Sequence, residues 1–272
     1  MYKLRIPVKR QVHALTAGNM NPLQSVRAVL IRPSHPGNIG GAARALKNMG
    51  IGRLYLVAPA DHRDGEAIAR AADAADVLER ATVCATLDEA ICDCHFVVGT
   101  TARNRRIEWP MVDPREGAAT LVEQARRGPA AVLFGQERSG LTNEVLDRCH
   151  RVMYIPSSSD YPALNLVCAV QIVAYEIYRF AVECKPAAAP TDPPVTDAEM
   201  SRFYRHLEEV LTEIDFLDPK NPRLLQRRLH RLFNRAQPDQ NEMNILRGVL
   251  KQFQVTLRKP RRGSDEESEK PR

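Results

Sequence analysis

Apolar residues along this chain gather into short, nearly continuous runs: Val26 to Ile31, Leu54 to Val57, Thr82 to Ala85, Phe96 to Gly99, Ala131 to Phe134 and Val152 to Ile155. Each is bounded by Gly, Pro or polar turn residues, the pattern of strands buried on both faces. Between them the period changes. Ile39, Ala42, Ala43, Leu46 and Met49 recur at helical spacing and Gly50 is a helix stop. Further helices are predicted over Glu66 to Leu78, Leu87 to Ile91, from Asp113-Pro114 to about Arg127, and from Leu164 to about Val182. Strands alternating with helices predict an α/β class: a parallel sheet with helices on both faces.

The pattern then changes again. Lys185 to Pro194 is rich in Pro and Ala and reads as a linker. Beyond it Thr196 and Glu199 have capping-box spacing, opening a helix with Phe203, Leu207, Val210, Leu211 and Ile214 on one face. A second helix, roughly Pro222 to Asn234, carries Leu225, Leu229, Leu232 and Phe233 towards a core. A third opens at Asp239 and Glu242 and carries Met243, Leu246, Val249, Leu250 and Phe253. The expected organisation is a basic extension over 1–24, an α/β domain over 25–183, a linker over 184–195, a small all-α domain over 196–257 and a disordered polar tail over 258–272.

Composition narrows the class. With 44% hydrophobic residues the chain can bury a substantial core, and its net charge of +6 favours an anionic partner, nucleic acid being the commonest. The six cysteines have no metal-ligand spacing, so reduced thiols and no metal are expected. No run approaches the ~20 apolar residues of a membrane span. A soluble, cytoplasmic protein that contacts no membrane is the expectation.

The chemistry concentrates where strands end. Leu133 to Asn165 contains two apolar runs, each ending in a loop of Gly, Ser and acid or amide residues, and ligands collect at such strand ends. The earlier loop HPGNIGG is not a dinucleotide fingerprint: it lacks G-x-G-x-x-G, and no acid ends the second strand. It is not a Walker loop either.

Taken together, HPGNIGGAARALKNMG, VVGTTARNRR, LFGQERSGL and IPSSSDYPALNL resemble, in order and spacing, the motifs of the SPOUT class of RNA methyltransferases. Within it they are similar to the TrmJ-type branch of the TrmH family, tRNA ribose 2′-O-methyltransferases. The resemblance covers about residues 26 to 182, and the helical C-terminal piece also resembles that of the bacterial members. It implies a sheet whose C-terminal part is tied in a trefoil knot, S-adenosyl-L-methionine as cofactor, and a homodimer. It further implies tRNA as substrate, with no DNA expected, and a cytidine or uridine at position 32 of the anticodon loop as target. The family's motif residues fall on Asn38, Arg44, Glu137 and Asn165 as catalytic candidates. Cofactor contacts fall on Thr100, Thr101, Ala102, Gly135, Ile155, Pro162, Ala163 and Leu164, and Ala163 stands where the family often has Ser.

The same residues have plainer readings. Asn38 could tolerate a tight turn, Arg44 could be a solvated helix charge, Glu137 could satisfy local backbone donors, and Asn165 could brace a helix start. A guanidinium, with a pKa above ~12, is a poor general base, so Arg44 is read as clamping phosphate and stabilising a developing alkoxide. Arg103, Arg105 and Arg106 follow a strand end and suit phosphate binding at a rim. Arg227, Arg228 and Arg231 lie in a segment with no acid between Pro219 and Ala236 and are expected to contact RNA. Tyr161 and Trp109 are candidates for stacking on bases. The competing functions are an rRNA 2′-O-methyltransferase of the same class and a non-catalytic RNA-binding protein that kept the fold.

Overall fold

The computed structural model describes residues 21–101, 111–160, 163–183, 193–218, 220 and 224–257. The strands are β1 (Val26–Ile31), β2 (Arg53–Val57), β3 (Thr82–Cys84), β4 (Phe96–Thr101), β5 (Met111–Val112), β6 (Ala130–Phe134) and β7 (Arg151–Tyr154). They form one sheet in the order β3-β2-β1-β6-β4-β7-β5, and every pairing is parallel. The predicted runs all appear as strands. The edge strand β5 had no run to announce it: two residues pair with β7, and only Val112 is buried.

Helices cover both faces. α1 (Pro22–Ser25), α2 (Pro36–Asn48), α3 (Gly65–Ala71), α4 (Ala75–Glu79), α6 (Pro114–Ala125) and α8 (Leu166–Glu183) pack on one; α5 (Leu87–Ile91) and α7 (Asn143–Leu146) pack on the other. Alternate residues of one strand serve the two cores. Ala28 and Leu30 of β1 face the first group while Val29 faces the second. This explains why the strands read as continuous apolar runs instead of alternating ones.

The helix expected over Glu66 to Leu78 is interrupted. Ala72 takes φ +48°, a 3₁₀ turn follows over Ala72–Ala74, and α4 restarts at Ala75. No Gly or Pro marks the break. Tertiary contacts hold it: Lys47 of α2 donates to the Asp73 carbonyl at 2.6 Å and pairs with Asp76 at 2.7 Å. The interruption accompanies very close packing of α2 on α3. A Cβ at Gly40 would lie 2.0 Å from the Ala67 carbonyl oxygen, so only glycine lets these backbones meet.

Arg27 is the charged exception inside the sheet. It is 2% exposed, donates to the Ala90 carbonyl at 2.6 Å and to both Asp93 oxygens at 2.8 and 2.7 Å, and lies over the Tyr55 ring. Burial would lower its pKa, but the Asp93 hydrogen bond and charge outweigh that and hold it above its ordinary value. The contact ties the end of α5 to β1.

The C-terminal helices are α9 (Asp197–Glu213), α10 (Leu225–Ala236) and α11 (Gln240–Leu257). Both expected capping boxes form. Thr196 and Glu199 exchange bonds at 2.9 and 3.3 Å, and Asp239 and Glu242 exchange theirs at 2.9 and 2.8 Å. Val195, Met200, Phe203, Val210, Met243 and Leu250 make a separate small core. The expected apolar faces are only partly used. Leu232 of α10 and Ile214, Val249 and Phe253 stay exposed, because three short helices enclose too little volume to cover them all.

This helical unit docks beside α5 and α7. The backbone amides of Asp197 and Ala198 donate to the Cys94 and Cys92 carbonyls at 2.7 and 3.1 Å. The buried Asp197 carboxylate pairs with Arg148, and the Asn234 amide donates to the Asp147 carbonyl at 3.1 Å.

Replacing Asp93 by Ala leaves Arg27 buried without its counter-ion. Because Asp93 itself is half exposed, the cost should fall below the ~3–5 kcal/mol of a fully buried pair, at about 1–3 kcal/mol. Equilibrium urea unfolding checks it. An unchanged midpoint would remove Arg27–Asp93 from the list of stabilising contacts.

Candidate active site

The carboxyl ends of β1, β6, β4 and β7, adjacent in the sheet, all open on one place. The chain order of the strands diverges here, β1 leading to β2 on one side and lying against β6 on the other. This is where open parallel sheets bind ligands. Four strand-end segments meet there: Arg32 to His35, the end of β4 at Thr100 and Thr101, Gly135 to Gly140, and the described residues 155–160 and 163–165 after β7.

Glu137 joins the first of these loops to the third. Its Oε2 accepts from the Ser34 amide at 3.1 Å and from the Ser34 hydroxyl at 2.9 Å, while Oε1 accepts from the Asn38 amide at 3.0 Å. Asn38 in turn accepts through Oδ1 from the Asn165 amide at 3.3 Å. Asn165 then accepts from the Val167 backbone amide at 2.8 Å, bracing the first turn of α8. Burial alone would raise the pKa of Glu137. The hydrogen bonds from Asn38 and Ser34 more than offset this and hold it below its ordinary value, so it is a carboxylate at neutral pH.

The loop that carries Glu137 is tightly wound. Gly140 donates to the Gln136 carbonyl at 2.8 Å and has φ +68°, and Ser139 donates to the Gln136 side chain at 3.0 Å. A Cβ on Gly135 would lie 2.1 Å from the carbonyl carbon of Gly140, so the turn closes only over a bare backbone. Thr100 is spoken for as well, its hydroxyl donating to the Leu133 carbonyl at 2.9 Å.

Two cavities lie on either side of the Glu137–Asn38–Asn165 chain. The first, about 150 Å³, is lined by Thr100, Thr101, Gly135, Ile155, Ala163 and Leu164, with Glu137 on its wall. These are all the described residues expected to bind cofactor; Ala102 and Pro162 lie outside the described residues. The second, about 460 Å³, holds Asn38, Arg44 and Asn165. Arg44 is exposed and has no ion-pair partner among the described residues. Three of the four catalytic candidates, Asn38, Glu137 and Asn165, are thus joined by hydrogen bonds, Glu137 lining the first space and Asn38 and Asn165 the second, which Arg44 also lines.

Other candidates fare differently. Arg103, Arg105, Arg106, Trp109 and Tyr161 lie outside the described residues. Arg228 is exposed on α10. Arg227 is committed to the protein: its Nε donates to both Asp147 oxygens at 2.9 and 2.8 Å, joining α10 to the α/β layer. Arg231 also has an interaction of its own. Sequence reasoning missed Ser34 as a site residue, although a hydroxyl in a strand-end loop was a visible signal. It also missed Glu66, Arg70 and Gln171, which line the second cavity from α3 and α8. Nothing in their local sequence separates them from ordinary helix residues.

An open α/β layer with a cleft at its strand ends serves many chemistries, and it is sequence similarity that identifies the family. Residues 25–175 match the SpoU rRNA Methylase family and residues 198–264 match the C-terminal domain of the tRNA methyltransferase TrmJ. The chain belongs to the SpoU methylase family, in its TrmJ branch. It is 44% identical over 249 residues to the tRNA (cytidine/uridine-2′-O-)-methyltransferase TrmJ of Yersinia enterocolitica, covering 89% of this chain and 96% of that one. It is 46% identical over 247 residues to the tRNA (cytidine/uridine/adenosine-2′-O-)-methyltransferase TrmJ of Pseudomonas aeruginosa, covering 87% and 96%. The crystal structure of TrmJ from Z. mobilis superposes with a TM-score of 0.74 at 33% identity, covering 84% of this chain and 98% of that one.

Glu137→Gln keeps the shape but removes the charge that Ser34 and Asn38 bind. A loss of roughly 1–2 kcal/mol is expected near pH 7, since hydrogen bonds to a charged group are stronger than neutral ones. The Glu137 pKa is depressed on folding, so its contribution is present above the ordinary value of 4.5 and lost as pH falls below it. The wild-type-minus-variant stability difference should therefore shrink in acid. A difference that is constant from pH 7 to pH 3.5 would contradict the charge-based account.

Arg227→Ala and Arg228→Ala should separate. The first should lower the unfolding midpoint by removing the partner of Asp147; the second should leave it unchanged. Equal midpoints for the two would show that the Arg227–Asp147 pair contributes nothing to docking.

Proposed function

We propose that this protein transfers a methyl group from S-adenosyl-L-methionine to the ribose 2′-hydroxyl of a pyrimidine in tRNA, at position 32 of the anticodon loop. The observation that carries the reading is the hydrogen-bonded chain of Glu137, Asn38 and Asn165, in which Glu137 lines a small cleft and the two asparagines line a larger, cation-bearing cavity. Methyl transfer needs the acceptor hydroxyl in line and in contact with the donor methyl, so on this reading the two spaces open onto each other beside this hydrogen-bonded chain.

The residues fit the cofactor. The cleft offers apolar side chains from Ile155, Leu164 and Leu166 for a nucleoside, and the bare backbone at Gly135 admits close approach. The ionised Glu137 on its wall complements a positive sulfonium. When bound, S-adenosyl-L-methionine supplies a methyl group on positive sulfur. A bond forms from that carbon to the ribose O2′, the carbon–sulfur bond breaks to leave a neutral thioether, and the hydroxyl proton departs to solvent.

The chain's own work is positioning and electrostatics. Asn38 and Asn165, locked to each other and to Glu137, fix the wall at which the hydroxyl must present itself. Arg44, solvent-facing in the larger cavity, stabilises the alkoxide as the proton leaves and holds a neighbouring phosphate. Ala163 brings no hydroxyl to the cleft, so its contribution is through the backbone.

The helical unit serves to hold the tRNA body, through the exposed Arg228 and its neighbours. The protein acts as a cytoplasmic homodimer. Tyr175, Tyr178 and Val182 leave an apolar strip on α8 at 46%, 40% and 63% exposure, suited to a second copy. The trefoil knot of the family is part of this reading, the chain after β7 threading through an earlier loop.

Purified protein incubated with methyl-labelled S-adenosyl-L-methionine and either total tRNA or rRNA should place label on O2′ of nucleotide 32 of tRNA. Label confined to rRNA would keep the chemistry and change the substrate; no label with tight RNA binding would favour a non-catalytic role. Arg44→Ala should lower kcat about 100–1000-fold while cofactor affinity stays within twofold of wild type, as for loss of one oxyanion-stabilising group. Near-normal turnover by Arg44→Lys would remove the guanidinium requirement.

A further inference from the structure

The smaller cleft carries one polar side chain that the reading above does not use. Gln136 lines it from the turn after β6, one residue before Glu137, and is half-buried. Its backbone carbonyl accepts from the Gly140 amide at 2.8 Å, so the closed turn fixes the root of the side chain. The far end is fixed as well, because Oε1 accepts from the Ser139 hydroxyl at 3.0 Å. That bond engages the acceptor of the amide and sets which way its nitrogen faces. The two N–H groups on Nε2 have no partner among the described residues.

The other donors around the cleft are engaged. The Thr100 hydroxyl donates to the Leu133 carbonyl at 2.9 Å, and that of Ser139 to Gln136. Thr101 and Arg138 each have an interaction of their own, and Arg138 is exposed. A ligand acceptor arriving beside this turn therefore meets Gln136 as a half-buried donor already held in place.

The chemistry of the cofactor indicates which acceptor that is. Its nucleoside suits the apolar Ile155, Leu164 and Leu166, and its sulfonium is complemented by Glu137. The remaining part, the amino-acid end, carries a full negative charge on its α-carboxylate. Such a group loses most when it leaves water without a donor. Glu137 cannot serve it, since an ionised carboxylate only accepts and would repel it.

We propose that Gln136, oriented by Ser139, donates to the α-carboxylate of S-adenosyl-L-methionine; this rests on the cofactor reading above. Gln136 is then a specificity-determining residue and Ser139 a positioning residue that acts through it. The pair favours the cofactor and its thioether product over any adenosyl thioether that lacks the carboxylate.

The test measures direct binding to the full-length protein by calorimetry, without turnover. Two probes are used: S-adenosylhomocysteine, and S-adenosyl-3-thiopropylamine, which differs from it only in lacking the carboxylate. Wild type should bind the first at least tenfold more tightly. Gln136→Met, which keeps the length and removes the donor, should weaken S-adenosylhomocysteine about tenfold and leave the amine within twofold. Gln136→Glu, which keeps the shape and places a like charge there, should weaken it at least as much. Ser139→Ala should weaken it about threefold, again sparing the amine. The ratio of the two affinities is read on one folded protein, so a merely structural role for either residue would not move it. An equal fall for both probes in Gln136→Met, or wild-type affinity for S-adenosylhomocysteine in Gln136→Glu, overturns the proposal. A wild type that does not discriminate between the probes overturns it too. If the wild type binds neither probe, it is the cofactor reading that fails.

Discussion

The site depends on one carboxylate. Glu137 is attached to the loop after β6, but its bonds reach the loop after β1 and the first turn of α2, and through Asn38 they reach the start of α8. These segments are distant in sequence and have no covalent reason to share a geometry. Without the carboxylate, the amide of Ser34, its hydroxyl and the amide of Asn38 would face one another as donors with no acceptor. Burial works against the charge and the three donors hold it, so charge and geometry maintain each other.

The sheet below makes that meeting possible. Parallel strands end at the same edge, so the loops after β1, β6, β4 and β7 collect at one rim instead of alternating between two. Glycine at Gly40 and Gly135 then allows two close approaches, one of helix on helix and one of a loop on itself. The chain of bonds that braces this rim is made of two short amides and one acid.

Much of this was legible in the sequence, for definite reasons. Strands buried on both faces had to be uninterrupted apolar runs, and their boundaries fell where Gly, Pro and polar residues stood. The capping boxes at Thr196 and Asp239 were readable because reciprocal bonding depends on residue types at a fixed local spacing. The break at Ala72 was not readable, since it is held by Lys47 from another helix. Neither was the use of Arg227, whose neighbours showed a basic helix while its partner, Asp147, lies 80 residues earlier. Buried Arg27 was likewise concealed inside an otherwise apolar strand. The motifs identified Asn38, Glu137 and Asn165, but only packing showed them bonded to one another, and only packing brought Gln171 into the same cavity as Asn165.

The docking of the helical unit has a consequence for behaviour in salt. Its contacts with the α/β layer are backbone hydrogen bonds and ion pairs whose members, Arg148, Asp197, Arg227 and Asp147, are mostly withdrawn from solvent. Mobile ions screen such pairs weakly, whereas they compete directly with the exposed cations that would meet a phosphate backbone. Raising the ionic strength should therefore release the nucleic acid long before it releases the helices. The two layers would travel as one body between binding events, so that each encounter with substrate begins from an already assembled surface.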